Sequence, residues 1–491
     1  MSLDTIPSTE GGKFKAVASG TLPSGQPVVV NADGTVSVVG GGNLTSENYI
    51  GMSGGVVRTG TSTQALGSAV VFESANANNI GSAYDSANNK VVVAYRDDGD
   101  SGKGKAVVGT VDTSANSISF GTPVQFEAGD TEYVNAVFDA NSGKIVISFK
   151  DNGDSYGKAI VGTVSGTSIS FGSAVTFIAA NSYNISSVYD STNNKVVIMY
   201  TTLSSPFDGK AVVGTVSGTS ISFGSASSFS GLNEAGIVFS SFDSTLGKVV
   251  VAYQQSENSG YAAVGTVSGT SISFGTPVNF NGGTNNVQRV SCAYDSTANR
   301  TVIFYRDQSN SSYDTAIVGT VSGTTISFGT KTVVTSQVNN WRAIAHDPNA
   351  GTNVLAVSTN YNFKVGTVDA SDNSMTFSSA TAFEDADARH VSALYDSTGQ
   401  KIILSYQDTG NSNYGTSKVV SLAAPIVIRG EVADGDNATI DIVGTVSSNQ
   451  LNLTAGQQYY VQTDGTVGTT PADPSVLAGT AVSATKLVVK S

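Results

Sequence analysis

One short string recurs along this chain. VSGTSISFG occupies residues 164–172, 216–224 and 267–275, and VSGTTISFG occupies 321–329. Looser copies, VDTSANSISFG and VDASDNSMTFS, stand at 111–121 and 368–378. Each copy is preceded by a second marker, usually an aromatic residue, then Asp, a polar turn and Lys. The marker residues are Asp85, Asp139, Asp190, Asp243, Asp295, Asp347 and Asp396, at intervals of 54, 51, 53, 52, 52 and 49. The period defines seven units of about 52 residues. A period of this size means that each unit buries its apolar faces against its neighbours. It also explains a length of 491 residues, which would otherwise imply two or three ordinary domains.

Each unit reads as four strands. In the third they are ISSVYD (185–190), KVVIMYTT (195–202), KAVVGTVS (210–217) and SISFGSAS (220–227). The segments are rich in Val, Ile, Tyr and Phe, and Gly, Asn, Ser and Thr separate them. None has a helical period. Seven copies of a four-strand unit predict an all-β, seven-bladed β-propeller. Tyr95, Phe149, Tyr200, Tyr253, Tyr305, Val357 and Tyr406, ten residues after each marker, are expected to fill the space between blades. Small residues three before the marker, Cys292 among them, suit the crowded axis.

The seventh unit supplies three strands, within 390–422, and a lone fourth-strand segment (65–74) precedes the first unit. The N-terminal strand is therefore expected to complete the last blade and hide the sheet edges. The expected domains are an N-terminal β arm at 1–60, the propeller at 61–422, and a C-terminal β domain at 423–491. Asp-Gly hairpin turns at Asp33–Gly34 and Asp464–Gly465 mark the flanks, which are expected to form one small attachment module.

Composition excludes several roles. A formal charge of −13 argues against binding a nucleic-acid backbone. No run of about 18 apolar residues spans a membrane. The N-terminus has no secretory signal of the usual kind. One Cys and two His leave little for metal sites or triads. No cofactor, metal or catalytic residue is expected.

Loops joining strands 2–3, and strand 4 to the next strand 1, vary in length and sequence. They include 97–104, 201–209, 306–314 and 407–416. Their face is the candidate binding face. Six residues before each marker, at the channel mouth, stand Asn79, Tyr133, Asn184, Ile237, Arg289, Trp341 and His390, with Arg342 and Arg389 adjacent. Aromatic, Arg and amide groups there suit a saccharide, while ordinary loop packing is the simpler account. Each marker Asp is expected to accept from backbone N–H in its turn. Lys90, Lys144, Lys195, Lys248, Arg300 or Lys401, five residues later, is placed for a cross-hairpin ion pair. DDGDSG (97–102) and DNGDS (151–155) have Ca²⁺-like oxygen density without EF-hand spacing, so turn chemistry is the expectation.

The units AVVGTVSGTSISFG and VYDSTNNKVVIMY resemble repeats in structural proteins of marine tailed bacteriophages. ASGTLPSGQPVVVNADGTVSVV, and LTAGQQYYVQTDGTV with the residues after it, are similar to modules at the ends of phage tail-fibre-like and virion proteins. The resemblance implies a non-enzymatic virion structural protein. As a tail fibre or adhesin it would display the propeller for host-surface glycan recognition. The terminal modules would contact other tail or capsid proteins, as a homo-oligomer exposed on the particle. A capsid decoration or head fibre is the alternative on the virion. A stand-alone lectin-like propeller is a second alternative, and a polysaccharide depolymerase ranks last.

Overall fold

The computed structural model describes residues 13–23, 25–40, 42–45, 48–53, 57–59, 64–202, 208–230, 235–255, 259–282, 287–338, 340–357, 361–370, 372–422, 427–429, 431–432, 437–442, 446–447, 450, 453–483 and 486–490. The chain forms two units, Thr63–Ala424 and the combined flanks Met1–Ser62 and Pro425–Ser491. The expected boundaries at 60/61 and 422/423 lie at or beside residues outside the described set, as do 203–207 of one variable loop. The described residues are strands and turns, with short 3₁₀ turns at Asp98–Asp100, Gln308–Asn310 and Thr409–Asn411.

In the repeat unit, each copy is an antiparallel sheet. The third copy orders Ser182–Asp190, Lys195–Thr202, Asp208–Ser217 and Ser220–Phe223 side by side. The fourth strand is broken: Ser227–Ser228 pairs the same third strand separately, beyond a glycine. Val196, Val197, Ile198, Met199 and Tyr200 are all fully buried. Both faces of this strand are covered, so its sequence shows no alternation.

Aromatic pairs bind the copies. Phe72–Tyr95, Phe126–Phe149, Phe177–Tyr200, Phe229–Tyr253, Phe280–Tyr305 and Phe383–Tyr406 have ring centroids 5.1–5.3 Å apart. The second ring in each pair is an expected inter-blade aromatic, fully buried. The Val357 side chain lies outside the description.

Glycines set the approach of successive copies. A Cβ on Gly172, Gly224 or Gly275 would stand 1.9 Å from the carbonyl oxygen of Thr219, Thr270 or Thr324 in the following copy. No side chain fits there, which accounts for the Gly that ends each SISFG string.

The innermost strand of each copy packs on that of the next, and Ala388–Asp396 packs on Val70–Asp85 of the first. Gln64–Leu66 and the start of Val70–Asp85 pair with Tyr414–Leu422, the third strand of the last copy. Val70–Asp85 then runs on as the innermost strand of the first copy, pairing with Lys90–Asp97.

The flanks form two five-stranded sheets of the same topology. One orders Lys13–Val17, Asn437–Ile442, Tyr49–Ser53, Pro27–Val30 and Val36–Val38. The other orders Val446–Ser447, Lys486–Val489, Leu477–Ser483, Gln458–Val461 and Val467–Gly468. In chain order both read first, fifth, fourth, second, third. Both second strands turn through Asp-Gly-Thr, with Asp33 accepting from the N–H of Thr35 at 3.0 Å and Asp464 from that of Thr466 at 2.9 Å. The flank unit is thus a duplicated module. In the first copy the repeats are inserted between the fourth and fifth strands. Val29, Tyr49 and Met52 share one core with Tyr459, Val461 and Leu487.

Candidate functional site

A cavity of about 530 Å³ runs between the innermost strands. Its wall is shaped by a repeated irregularity. Opposite one step of the second strand, the innermost strand carries an extra residue in six copies, between Asn78 and Gly81, Glu132 and Asn135, Tyr183 and Ser186, Ala235 and Val238, Gln288 and Ser291, and Arg389 and Ser392. These are β-bulges, which re-aim a side chain. In five of them the residue six before the marker is left-handed: Asn79 (φ 48°), Tyr133 (52°), Asn184 (50°), Arg289 (53°) and His390 (48°). Asn tolerates this conformation, but Tyr, Arg and His adopt it at a cost of about 1 kcal/mol each. The bulge recurs at one register of the repeat, so the geometry belongs to the scaffold and fixes where these side chains stand on the cavity wall.

The candidate residues divide into two groups. Asn79, Tyr133 and Asn184 line the cavity but are occupied. Asn79 donates to Asn78 at 2.8 Å and accepts from the Tyr133 backbone at 3.1 Å. Tyr133 packs edge-on against Tyr183, and Asn184 donates to Thr201 at 3.3 Å. Arg289, Trp341, Arg389 and His390 gather on the other side. They line a second hollow of about 480 Å³ with Asn340, Asp387 and Gln407. The Trp341 and His390 rings lie 3.9 Å apart at 37°, and the Arg289 guanidinium stands 5.3 Å from the indole centroid. Burial, with Arg389 and Arg289 nearby, pulls the His390 pKa down to about 3, so its imidazole is neutral at pH 7.

Arg342 was expected in the mouth as a ligand-binding group. It lines the cavity wall, but its guanidinium is buried and held by Asp314 at 2.5 Å and by the carbonyl of Arg289 at 2.5 Å. It positions the Arg289 bulge. Arg389 pairs with Asp387 at 2.9 Å. Ile237 adds an apolar stretch of wall. Asn340 and Asp387 escape a reading in register with the markers because loops deliver them, whereas Gln407 stands eleven residues after Asp396, at a position whose residue type varies between copies.

The marker carboxylates belong to the turns. All seven are buried and accept two backbone N–H groups each, at 2.8–3.1 Å. The expected cross-hairpin ion pairs are corrected by the structure. Lys144, Lys195, Lys248 and Lys401 donate instead to Thr163, Thr215, Thr266 and Ser421 of the third strand, at 2.8–2.9 Å. Arg300 bonds Asn373 and the carbonyl of Ala370. Each carboxylate is folded back over its own turn, leaving the cation opposite to seek the next strand.

In the acidic loops, Lys105 pairs with Asp97 at 2.6 Å and with Asp100 at 3.2 Å, and Lys158 pairs with Asp151 at 2.5 Å and with Asp154 at 2.8 Å. Their oxygens are met by ammonium groups. Cys292 is buried, and burial pushes its thiol up to about 12, so it is an inert packing group at neutral pH.

Strand order, broken outer strands and packed inner strands define an all-β protein with a propeller-like repeat unit. The BP39L lectin from Burkholderia pseudomallei is similar to it, at 12% identity and a TM-score of 0.54, over 73% of this chain and 100% of the lectin. The Cps50 (Swd1) β-propeller domain of Myceliophteria thermophila matches at 5% identity and a TM-score of 0.45, over 73% and 99%. The periplasmic gluconolactonase PpgL of Pseudomonas aeruginosa matches at 10% identity and a TM-score of 0.45, over 69% and 96%. No family model and no curated protein matches the sequence. The expectation that this protein is not an enzyme is corrected at this point. One fold hosts binding proteins and enzymes alike, so the fold gives no ground for excluding catalysis.

Proposed function

We propose that the repeats close as a seven-bladed β-propeller and that its channel mouth binds a saccharide, in the manner of a lectin. The observation that carries this reading is the grouping of Trp341, His390 and Arg289, with the last two delivered by strained bulges. Sugar rings stack on aromatic faces, and amides such as Asn340 and Gln407 match their hydroxyls. Seven repeats, inner strands in succession and the pairing of Gln64–Leu66 with Tyr414–Leu422 support the blade count. The likeness to a lectin supports the ligand class. The left-handed position recurs but its residues differ, which favours one composite site over identical sites in every blade.

The full-length protein on a glycan array tests this. Binding that falls at least tenfold in Trp341→Ala is expected. Binding to no glycan, or binding indifferent to Trp341, overturns it.

A second reading places the chain on a virion, as a tail fibre, adhesin or capsid decoration, with the flank unit attaching it to other virion proteins as a homo-oligomer. The resemblance of both flanks supports it, as does the formation of one unit by the two ends of the chain. Mass spectrometry of purified particles tests it, and absence of the intact chain rules it out.

A further inference from the structure

The mouth carries positive charge that its own residues do not neutralise. Arg289, Arg306 and Arg342 belong to one cluster. Arg306 lies beside Gln288 on one neighbouring strand and Asp314 on the other, and Arg342 bonds the Arg289 carbonyl. Asp314 is committed to Arg342, and Asp387 to Arg389. Among the described residues, Arg289 and Arg306 form no ion pair. Arg306 donates to Asn340 at 3.3 Å, while its buried Nε has no hydrogen-bond partner among those residues. A partly buried cation without a counter-charge is costly. The cost is met here in a protein whose net charge is −13, so the excess is local. Burial and the neighbouring Arg306 also lower the pKa of Arg289, the signature of a guanidinium short of an anion.

We propose that the mouth selects an acidic saccharide, with its ring against Trp341 and its carboxylate on Arg289, backed by the charge of Arg306. The proposal rests on the saccharide reading and narrows its ligand. A carboxylate accepts two N–H bonds from one guanidinium, which a neutral hydroxymethyl group cannot do. Neutral His390 leaves the positive charge to the arginines and adds a packing surface.

Trp341 is the one tryptophan of the chain, so its fluorescence reports the site directly. The full-length protein is titrated with oligogalacturonate and sialyllactose, with the methyl ester of each, and with acetate. Each acid is expected to bind at least tenfold more tightly than its ester, about 1.4 kcal/mol, and to weaken at high salt. Arg289→Gln should abolish that preference, so that acid and ester bind alike. If Arg289→Gln fails to fold, Arg306→Gln should reduce the preference and its salt dependence. Esters that bind as tightly as acids overturn the selectivity and leave the saccharide reading standing. Acetate that binds as tightly as the acids overturns the saccharide as the carrier of the carboxylate. If no saccharide of either kind binds, the saccharide reading itself falls.

Discussion

The hydroxyl of Ser82 lies 2.7 Å from the hydroxyl of Ser392, which is 310 positions further along the chain. The contact joins the first and last innermost strands. The equivalent pair of the third and fourth copies is Ser186 with Ser240 at 2.9 Å, and Ser148, on a second strand, meets Ser187 of the next copy at 2.6 Å. In a Ser82→Ala, Ser392→Ala double-mutant cycle, urea unfolding should give a coupling of about 0.5–1.5 kcal/mol. Additive single effects would mean that the two strands do not meet in solution.

Gly224→Ala tests the close approach of successive copies. Its Cβ would meet the Thr270 carbonyl oxygen at 1.9 Å, a backbone atom that cannot rotate away. A loss of about 3 kcal/mol or more is expected, in the range of severe overpacking. Gly218→Asn is the matched control. Gly218 is left-handed (φ +61°) with nothing within 4 Å, and Asn tolerates that conformation, so a change within about 1 kcal/mol is expected. Thermal unfolding of the two variants compares them directly.

Acid should destabilise the repeat unit through His390. Its folded pKa of about 3 lies below the ordinary 6.5, with Arg389, Arg289 and Arg96 as the charged neighbours. Between those values the unfolded chain binds a proton that the folded chain does not, so stability is full above pH 6.5 and falls as pH drops toward 3. From pH 7 to pH 5 the loss should be about 1–2 kcal/mol after allowance for channel water. His346, also depressed by burial, acts in the same direction. Urea midpoints at the two pH values should converge in part in His390→Gln. An unchanged difference would show that His390 is not desolvated.

The inserted position of the repeats has an engineering outcome. Val57–Thr59 and Val427–Arg429 pair antiparallel, with Thr59 opposite Val427. Neighbouring strands lie about 5 Å apart, a gap that a two-residue turn closes. Joining Thr59 to Val427 through Asn-Gly should leave a soluble flank module that unfolds cooperatively, read by circular dichroism. An unfolded product would show that the duplicated module depends on the inserted repeats.

The repeat was legible because the markers keep register: counting from Asp85 or Asp190 places the inner strand, the buried Tyr and the residue at the mouth. The bulges were not legible. Asn-Asn-Ile-Gly at 78–81 and Gln-Arg-Val-Ser at 288–291 share no signature, and an extra residue on one strand shows only against its partner. The Lys195 partner was misread because an Asp opposite a Lys in a hairpin invites pairing, whereas the turn N–H groups of Thr192 and Asn193 compete successfully for Asp190. The flank duplication left a trace in Gly25–Gln26 and Gly456–Gln457, each followed by Asp-Gly-Thr-Val at 33–36 and 464–467. The interruption of one copy by the repeats concealed it. Arg306 and Gln407 stand eleven residues after Asp295 and Asp396, in register, but that position holds Arg96, Lys150, Thr201 and Gln254 in the first four copies, so no repeated residue type marks it.

The strand that begins at Val70 pairs with residues that start at Tyr414. During synthesis it leaves the ribosome some 340 residues ahead of them, which at ~5–20 residues per second is roughly 20–70 s. Throughout that interval its hydrogen-bonding edge has no native mate, and any nascent chain that stops early keeps it bare. A truncated chain therefore exposes an unpaired strand edge, a ready template for pairing with another chain, and completion of the last repeat covers it.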